Sequence, residues 1–450
     1  MPPVFRNLPY QHTYMTETAT LSPTAFAQRI NSLDVVRGCA LLGILLMNIN
    51  GFGLFWSYGD PTNTGGATGW NLKVWWITNL FFEGTMRGMF SMVFGAGVIL
   101  FTSRSSQTIS SESVTDTYFR RILWLVLFGV IHNYLLLWDG DFLYANALLG
   151  LFVFSFRHMK PRHLIFLSLF WFTCSTVLNV KDYVVARDTH ELAEKASQKK
   201  RTGATLSKEE TKQIEKWDEM VSAEKPDAAK IKEGIAARQK GYWDIVWFKA
   251  SIAQMMQTTV MYRFFFFDVF AMMLLGMAFL KNGILKAEKS MGFYALMALA
   301  GYAIGLTINY LETSYIVSHQ FDLLSFRFTG MSYDVGRLFT TIGQVGLIML
   351  FIKWGGLRFL QKALAAVGRM AFTNYIMQTL ICITIFMGFG FGMYAQLQRY
   401  ELYYVVFGVW IFQLILSPIW LTYFRFGPLE WAWRSLTYWQ IQPFRRNAAP

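Results

Sequence analysis

The feature that most limits the fold of this chain is a series of apolar segments, each about as long as a helix that crosses a lipid bilayer. A transmembrane helix needs about 20 mainly apolar residues. Only helices and closed barrels satisfy their backbone hydrogen bonds inside a bilayer, so long apolar runs predict an all-α polytopic bundle. We expect about ten spans, at residues 33–56, 84–102, 119–138, 142–157, 162–181, 263–281, 291–311, 334–354, 369–391 and 401–424.

Composition and charge distribution agree with a multi-pass membrane protein. Hydrophobic residues make up 54% of the 450-residue chain and charged residues only 15%. The formal net charge is +13, but the lysines and arginines fall mainly in alternate short loops and form no basic stripe of the kind that binds nucleic acid. By the positive-inside rule this pattern places both termini in the cytoplasm. We therefore expect membrane lipids as partners and exclude nucleic acid.

The chain divides into five predicted regions. A cytoplasmic segment, 1–32, precedes a five-helix membrane region, 33–181. The region 182–262 is rich in interleaved lysine and glutamate and predicts an extracytoplasmic helical insertion followed by an interfacial helix, because long loops translocate largely regardless of charge. A second five-helix region, 263–424, leads to a cytoplasmic amphipathic tail, 425–450.

No metal site is expected from the sequence. The three cysteines, Cys39, Cys174 and Cys382, all lie in predicted spans and lack the close spacing of metal ligands. Packing is the role we assign to them. The sequence leaves the oligomeric state open.

The third predicted span carries the residue type best suited to proton transfer. His132 lies in its outer half, and Asp139 and Asp141 follow in a very short turn. Histidine serves as a general base, and a carboxylate can orient it. Asp141 is the better partner because it begins the next helix. The alternatives are an interhelical hydrogen bond for the histidine and a solvated turn or helix cap for the two carboxylates.

The first span has polar residues at both ends. Asp34 and Arg37 lie at its cytoplasmic end, and Asn48 lies about 16 Å further out by helical rise. One interpretation is a local Asp34–Arg37 ion pair. The other is an anion site in which Arg37 and Arg121 bind the phosphates of coenzyme A, while Asn48 meets His132 near the outer surface.

Two further spans contain polar residues at helical spacing. In the second span Glu83 and Arg87 are four residues apart and share a helix face, where they can pair with each other or contact a substrate. In the ninth span Asn374 and Gln378 also share a face. Interhelical hydrogen bonding is the alternative to substrate binding for the second pair.

Several segments resemble a bacterial membrane protein family. These are LDVVRGCALLGILLMNI, FFEGTMRGMFSMVFGAG, GVIHNYLLLWDGDFLYANALLG and GRMAFTNYIMQTL, followed by SPIWLTYFRFGPLEWAWRSLTYWQ. They look like the YeiB family, known as domain of unknown function 418. The resemblance covers about residues 29 to 444 and implies a multi-pass protein of the bacterial inner membrane without assigning an activity.

A more distant resemblance concerns the first span. Asp34, Arg37, Gly38 and Asn48 are spaced as in membrane enzymes of the heparan-α-glucosaminide N-acetyltransferase type. This resemblance implies acyl transfer from cytosolic acyl-CoA to an acceptor on the far side. That enzyme type uses a histidine in the loop after its first span, whereas this chain has none between Gly51 and Leu80. The hypothesis therefore gives that role to His132.

These features together suggest a transmembrane acyltransferase with acyl-CoA as donor and a cell-envelope molecule as acceptor. His132, aligned by Asp141, would act as base, and Asn48 would donate to the developing oxyanion. Asp34, Arg37, Arg121, Glu83, Arg87, Asp139, Asn374 and Gln378 would contact substrates. The alternatives are a transporter or channel for a small or lipidic molecule, and a structural partner of another envelope protein.

Overall fold

The computed structural model of the protein describes residues 30–105 and 111–446. The predicted cytoplasmic segment 1–32 therefore lies almost entirely outside the described residues. The helices are α1 (Asn31–Gly53), α2 (Gly69–Phe81), α3 (Thr85–Ser105), α4 (Ser111–Tyr134), α5 (Leu143–Val153), α6 (Pro161–Arg201), α7 (Lys208–Glu224), α8 (Ala228–Arg238), α9 (Tyr242–Met255), α10 (Phe266–Lys281), α11 (Met291–Ser318), α12 (Leu323–Gly330), α13 (Tyr333–Trp354), α14 (Arg358–Arg369), α15 (Ala371–Phe386), α16 (Leu402–Tyr423) and α17 (Pro428–Tyr438).

This architecture confirms the predicted all-α membrane bundle. Within the described part of the chain, seven helical segments are long and apolar enough to cross a membrane. They are Asn31–Gly53, Gly69–Ser103, Pro161–Arg201, Tyr242–Lys281, Met291–Ser318, Tyr333–Trp354 and Leu402–Tyr423. Two shorter apolar helices, Leu143–Phe156 and Ala371–Phe386, and the more polar α4 coincide with the other predicted spans. The total of ten spans remains a prediction.

Helix α1 forms the centre of the bundle, and most of its residues are buried. It packs against α3, α14, α15 and α16. Small residues allow the closest of these contacts, because a Cβ atom at Gly38 would overlap the carbonyl of Leu364 and one at Gly368 would overlap the carbonyl of Asp34. Such close backbone approach is typical of helix packing in membranes.

The structure differs from the prediction in the segment before the ninth span. We expected a loop there, but residues Arg358–Arg369 form α14, which presents Ala365, Ala366 and Val367 to the bundle. Its charged residues lower the mean hydropathy of the segment, which therefore does not look like a membrane-length apolar run. The amphipathic pattern of the helix, and not its mean hydropathy, explains why it forms.

Helix α6 also differs from the predicted boundary at residue 181. It continues without interruption to Arg201, so that its 41 residues span about 60 Å. Lysine, glutamate and alanine favour helix as strongly as the apolar residues before them, and Gly203 is the first helix breaker. The outer part of α6, with α7 and α8, forms the cap, which we define as residues 182–240. Helices were predicted in this region, and α7 and α8 are found there.

The π-helical segment Met256–Phe265 joins α9 to α10 without a turn. Trp243 and Trp247 of α9 are 65% and 79% exposed, as expected of tryptophans at a membrane interface. We call the end of the bundle that carries the cap the outer end. The topology prediction places this end outside the cytoplasm.

Candidate functional site

A cavity of about 520 Å³ lies beneath the cap, at the outer end of the bundle. Its walls come from α1, α3, the turn between α4 and α5, α9 with the π-helical segment, and α12. The apolar lining residues include Ile44, Met47, Leu54, Phe82, Met86, Trp138, Phe142, Ile252, Met255, Met256, Val260, Phe265, Phe321, Leu323 and Phe326. A volume in this range and a mainly apolar lining are typical of sites for small organic molecules.

Polar contacts at the rim of the cavity join the cap to α12 and to the loop after α1. Glu224 forms an ion pair with Arg327 at 2.8 Å, and Lys225 approaches Asp60 to 3.4 Å. The indole Nε1 of Trp56 donates a hydrogen bond to the carbonyl of Ala223 at 3.1 Å. The turn between α7 and α8 is therefore fixed over the opening by several contacts.

Arg87, one of the predicted substrate-binding residues, lines this cavity from α3. Its Nη2 lies 2.9 Å from the Oδ2 of Asp268 on α10, and its Nη2 also donates to the hydroxyl of Tyr333 at 3.3 Å. Glu83 does not pair directly with Arg87. It accepts a hydrogen bond from the Tyr333 hydroxyl at 2.9 Å, so that Tyr333 connects the two residues.

Asp139, also predicted to contact substrate, lies in the cavity wall. Its Oδ1 is 3.2 Å from the ammonium of Lys249 on α9. That ammonium donates a second hydrogen bond to the carbonyl of Leu137. Because the carboxylate of Asp139 already has a cationic partner, its first role is to neutralise the charge of the buried Lys249 ammonium.

Asn48 lines the same cavity from α1, close to the aromatic wall formed by Trp138. Its side-chain amide makes no hydrogen bond to another residue in the described ranges, and it is half-buried. Tyr58 also faces the cavity, from the loop after α1. Its side chain is 41% exposed, and a phenol hydroxyl is protonated at neutral pH and can donate to a ligand.

His132 lies outside this cavity, in the interior of the bundle. Its Nδ1 is 2.7 Å from the Oδ1 of Asp141, and its Nε2 is 2.8 Å from the hydroxyl of Thr379 on α15. The side chains of His132 and Asp141 are fully buried. Asp141 also caps α5 by accepting from the backbone N–H of Tyr144 at 2.7 Å. The predicted His132–Asp141 contact is thus present, but the pair does not share the cavity with Asn48.

The residues predicted to lie at the cytoplasmic end are found at the end of the bundle opposite the cap. Asp34 and Arg37 form an ion pair at 2.9 Å. The guanidinium of Arg121 lies 3.7 Å from the ring centroid of Trp433 on α17 and is near enough to Arg37 for the two positive charges to interact. An acyl-CoA phosphate at this end would have to compete with Asp34 for Arg37.

Asn374 and Gln378 connect helices in the middle of the bundle. Asn374 donates to the hydroxyl of Ser417 at 3.0 Å, and Gln378 donates to Gln413 at 3.0 Å. All four side chains are buried. Their contacts are those of interhelical hydrogen bonding, the alternative that the sequence left open.

Four residues of the site were not singled out from the sequence. Asp268 and Tyr333 hold Arg87, Lys249 holds Asp139, and Arg238 lines the cavity from the end of α8. Asp268 stands alone in a strongly apolar run, which is a usable signal because intramembrane carboxylates are seldom without a role. Arg238 lies among many charged residues of the insertion and gives no such signal. Among the described residues, no group of three or more histidine, cysteine, aspartate or glutamate side chains could hold a metal ion.

Comparison with known proteins supplies the family. The chain is 32% identical over 427 residues to the uncharacterized protein YeiB of Escherichia coli (strain K12), which covers 91% of this chain and 96% of that protein. The chain belongs to the YeiB family. It is also 28% identical to the uncharacterized protein YxaH of Bacillus subtilis (strain 168), over 95% of this chain and 99% of YxaH. A family model described as a protein of unknown function, DUF418, matches residues 279–440. No solved structure matches the chain.

Proposed function

We propose that this YeiB-family protein is a carrier. It binds an amphipathic molecule in the outer cavity and moves that molecule at the outer side of the membrane. The observation that carries the proposal is the cavity itself. Its apolar wall is built from helices of the membrane bundle, while charged groups and the cap surround its polar end. A molecule with a hydrocarbon part and a polar headgroup satisfies both surfaces.

Access from the lipid fits the position of α9 and the π-helical segment. Met255 lines the cavity and is 39% exposed, so the wall is thin on this side. π-helical segments inside α-helices occur frequently at functional sites. An amphipathic molecule could therefore leave the outer leaflet between the residues of this wall without crossing the bundle.

A photoreactive probe tests the proposal. A long-chain alcohol and a fatty acid, each with a diazirine in the chain, would be added to proteoliposomes and illuminated, and the labelled peptides would be identified by mass spectrometry. We expect label on cavity residues such as Met86 and Phe142. Met47→Trp, which fills the cavity, should reduce that label, whereas Leu127→Trp on the exposed face of α4 should not. Label confined to lipid-facing residues would contradict the proposal.

Acyl transfer is the second candidate function, and the position of Asn48 favours it. Its free amide lies in the same cavity as Arg87 and Asp139, so a donor group for an oxyanion and two charged side chains line the space where an acceptor could bind. In this version the acceptor occupies the cavity, and acyl-CoA enters from the end near Arg37 until its thioester carbonyl lies beside Asn48. The hydroxyl or amine of the acceptor would attack that carbonyl, the C–S bond would break, and the proton of the acceptor would pass to the leaving coenzyme A thiolate. His132 would then stabilise the bundle and would not act as the base.

The two functions differ in their need for acyl-CoA. Proteoliposomes that retain a labelled amphiphile and move it without acyl-CoA would support the carrier. Formation of an acylated product that depends on acyl-CoA, and that Asn48→Ala reduces, would support transfer. An acylation rate that Asn48→Ala leaves unchanged would remove the observation on which the second candidate depends.

A further inference from the structure

Among the residues that the structure describes, the charged side chains around the cavity are paired with one exception. Arg87 pairs with Asp268, Lys225 with Asp60, Arg327 with Glu224, and Lys249 with Asp139. Arg238, at the end of α8, lines the cavity and lies within ion-pair distance of no carboxylate in the described ranges. The cavity therefore contains one positive charge that no carboxylate of residues 30–105 or 111–446 neutralises.

This guanidinium is buried as well as unpaired. Arg238 is only 6% exposed, and the single hydrogen bond that its side chain makes within the described chain runs from Nη1 to the carbonyl of Gly234 at 3.0 Å. A buried charge without a counterion is costly, because it loses hydration and gains no ion pair. Such a position requires either local compensation or a ligand of opposite charge.

Local compensation exists but is partial. The guanidinium lies 5.0 Å from the ring centroid of Phe55, 5.2 Å from that of Phe248 and 5.1 Å from that of Tyr394. Cation–π contacts and the C-terminus of a helix each stabilise a positive charge modestly. They hold the side chain in place, and they leave most of its hydrogen-bond donors free for planar, bidentate contact with an oxyanion.

The other charges that face Arg238 do not remove its positive potential. Lys249 adds a second positive charge close by, and Asp139, which balances Lys249, contributes the negative one. The backbone around Arg238 is also fixed, since the carbonyl of Arg238 accepts from the N–H of Gly388 at 2.9 Å. The guanidinium is thus a fixed cationic group in the lining of a mainly apolar cavity.

We infer that the cavity selects amphipathic molecules with an anionic oxyacid headgroup, a phosphate or a carboxylate, and that Arg238 binds that headgroup. This inference depends on the proposed function, because it assigns the headgroup of the molecule that the cavity holds. The hydrocarbon part lies along the wall formed by α1, α9 and the π-helical segment, and the cap covers the headgroup.

A headgroup series at constant chain length tests the inference on the wild-type protein in nanodiscs. Dodecyl phosphate, dodecanoate, dodecanol and dodecyltrimethylammonium would each compete with the photoreactive fatty acid. We expect both anions to compete at least about tenfold more strongly than the alcohol or the cation, in line with a charge-assisted hydrogen bond. Equal competition by all four would overturn the anion selectivity and leave the proposed cavity function intact. Failure of all four, with no labelling of the cavity, would overturn the proposed function itself.

Variants then assign the selectivity to the guanidinium. Arg238→Gln should remove the preference for anions, and Arg238→Lys should retain part of it, because lysine keeps the charge and loses the bidentate geometry. Arg187→Gln, which removes an exposed arginine of the cap, is the matched control and should leave the preference unchanged. If a folded Arg238→Gln protein kept the same preference for anions, the assignment of the headgroup to Arg238 would be wrong. If that variant does not fold, the headgroup series on the wild-type protein decides the inference.

Inorganic phosphate separates a lipid headgroup from a free anion. At the concentration where dodecyl phosphate displaces the probe, we expect inorganic phosphate to displace little of it. Displacement of equal strength would show that the site takes a soluble anion and would overturn the assignment to an amphipathic molecule.

Discussion

Replacement of His132 by alanine tests whether this residue has a structural or a chemical role. The imidazole contacts the carboxylate of Asp141 at 2.7 Å and the hydroxyl of Thr379 at 2.8 Å, and its side chain is fully buried. We expect His132→Ala to lower the free energy of unfolding strongly and to leave ligand affinity, measured per folded molecule, close to that of the wild type.

The magnitude follows from the two contacts. A hydrogen bond to a charged group contributes about 1.5–3 kcal/mol, and a buried hydroxyl without a partner costs about 1–3 kcal/mol. Asp141 keeps the backbone N–H groups of Leu143 and Tyr144 as donors, so it is not left without partners. Together these effects predict a loss of about 3–5 kcal/mol for His132→Ala.

The measurement is reversible unfolding in mixed micelles, with the helix content followed by circular dichroism as the fraction of denaturing detergent rises. Asn48→Ala is the matched control, since Asn48 faces the cavity and makes no hydrogen bond with the described chain. This variant should change the free energy of unfolding by less than about 1 kcal/mol and should weaken binding of the probe. A His132→Ala protein of unchanged stability that has lost all acylation activity would refute the structural role.

Three further predictions concern other parts of the molecule. Glu430→Ala should destabilise the protein by about 1–3 kcal/mol in the same unfolding assay, because the buried carboxylate accepts from the backbone N–H and the hydroxyl of Thr373 at the start of α15. In the cap, the backbone N–H of Ser207 and the ammonium of Lys199 hold the pKa of Glu210 below its ordinary value. Its contribution to stability is therefore present above that ordinary value and is lost as the pH falls through the lowered value. This loss should appear as lower protection of the α7 amides from hydrogen exchange in acid, relative to the intrinsic exchange rate at each pH, and it should be absent in Glu210→Gln. Gly95→Val should destabilise by about 1–3 kcal/mol or prevent folding, because a Cβ there overlaps the backbone of α10.

The sequence predicts the membrane bundle well because each span must satisfy its backbone hydrogen bonds within its own helix. A run of about 20 apolar residues is a local property, and it can be read without knowledge of the fold. Where the local pattern was mixed, the prediction failed. Helix α14 is amphipathic and charged, and α6 continues through the change from apolar to polar residues near residue 181.

The candidate site was predictable only where the partners are close in sequence. The contacts Asp34–Arg37 and His132–Asp141 join residues three and nine positions apart, and both were expected. Arg87 and Asp268 are 181 positions apart, so periodicity and spacing contain no information about their contact. The position of Arg238 could not be predicted from the sequence either, since only the folded cap brings this residue to the cavity.

The positions of these groups bear on the route that a substrate can take. Between Arg37 at one end of α1 and Asn48 at the other, hydrogen bonds join α1 to α15 and α16, and one of them runs from the amide of Gln378 on α15 to the carbonyl of Leu41 at 3.5 Å. The indole of Trp410 donates to the carbonyl of Leu42 at 3.0 Å, and the pair formed by Gln378 and Gln413 lies at the same level. An acyl group passing from the Arg37 end to the cavity between α1, α15 and α16 would have to separate these contacts. A ligand that enters from the outer leaflet disturbs none of them, and this difference favours a function that begins and ends on the outer side.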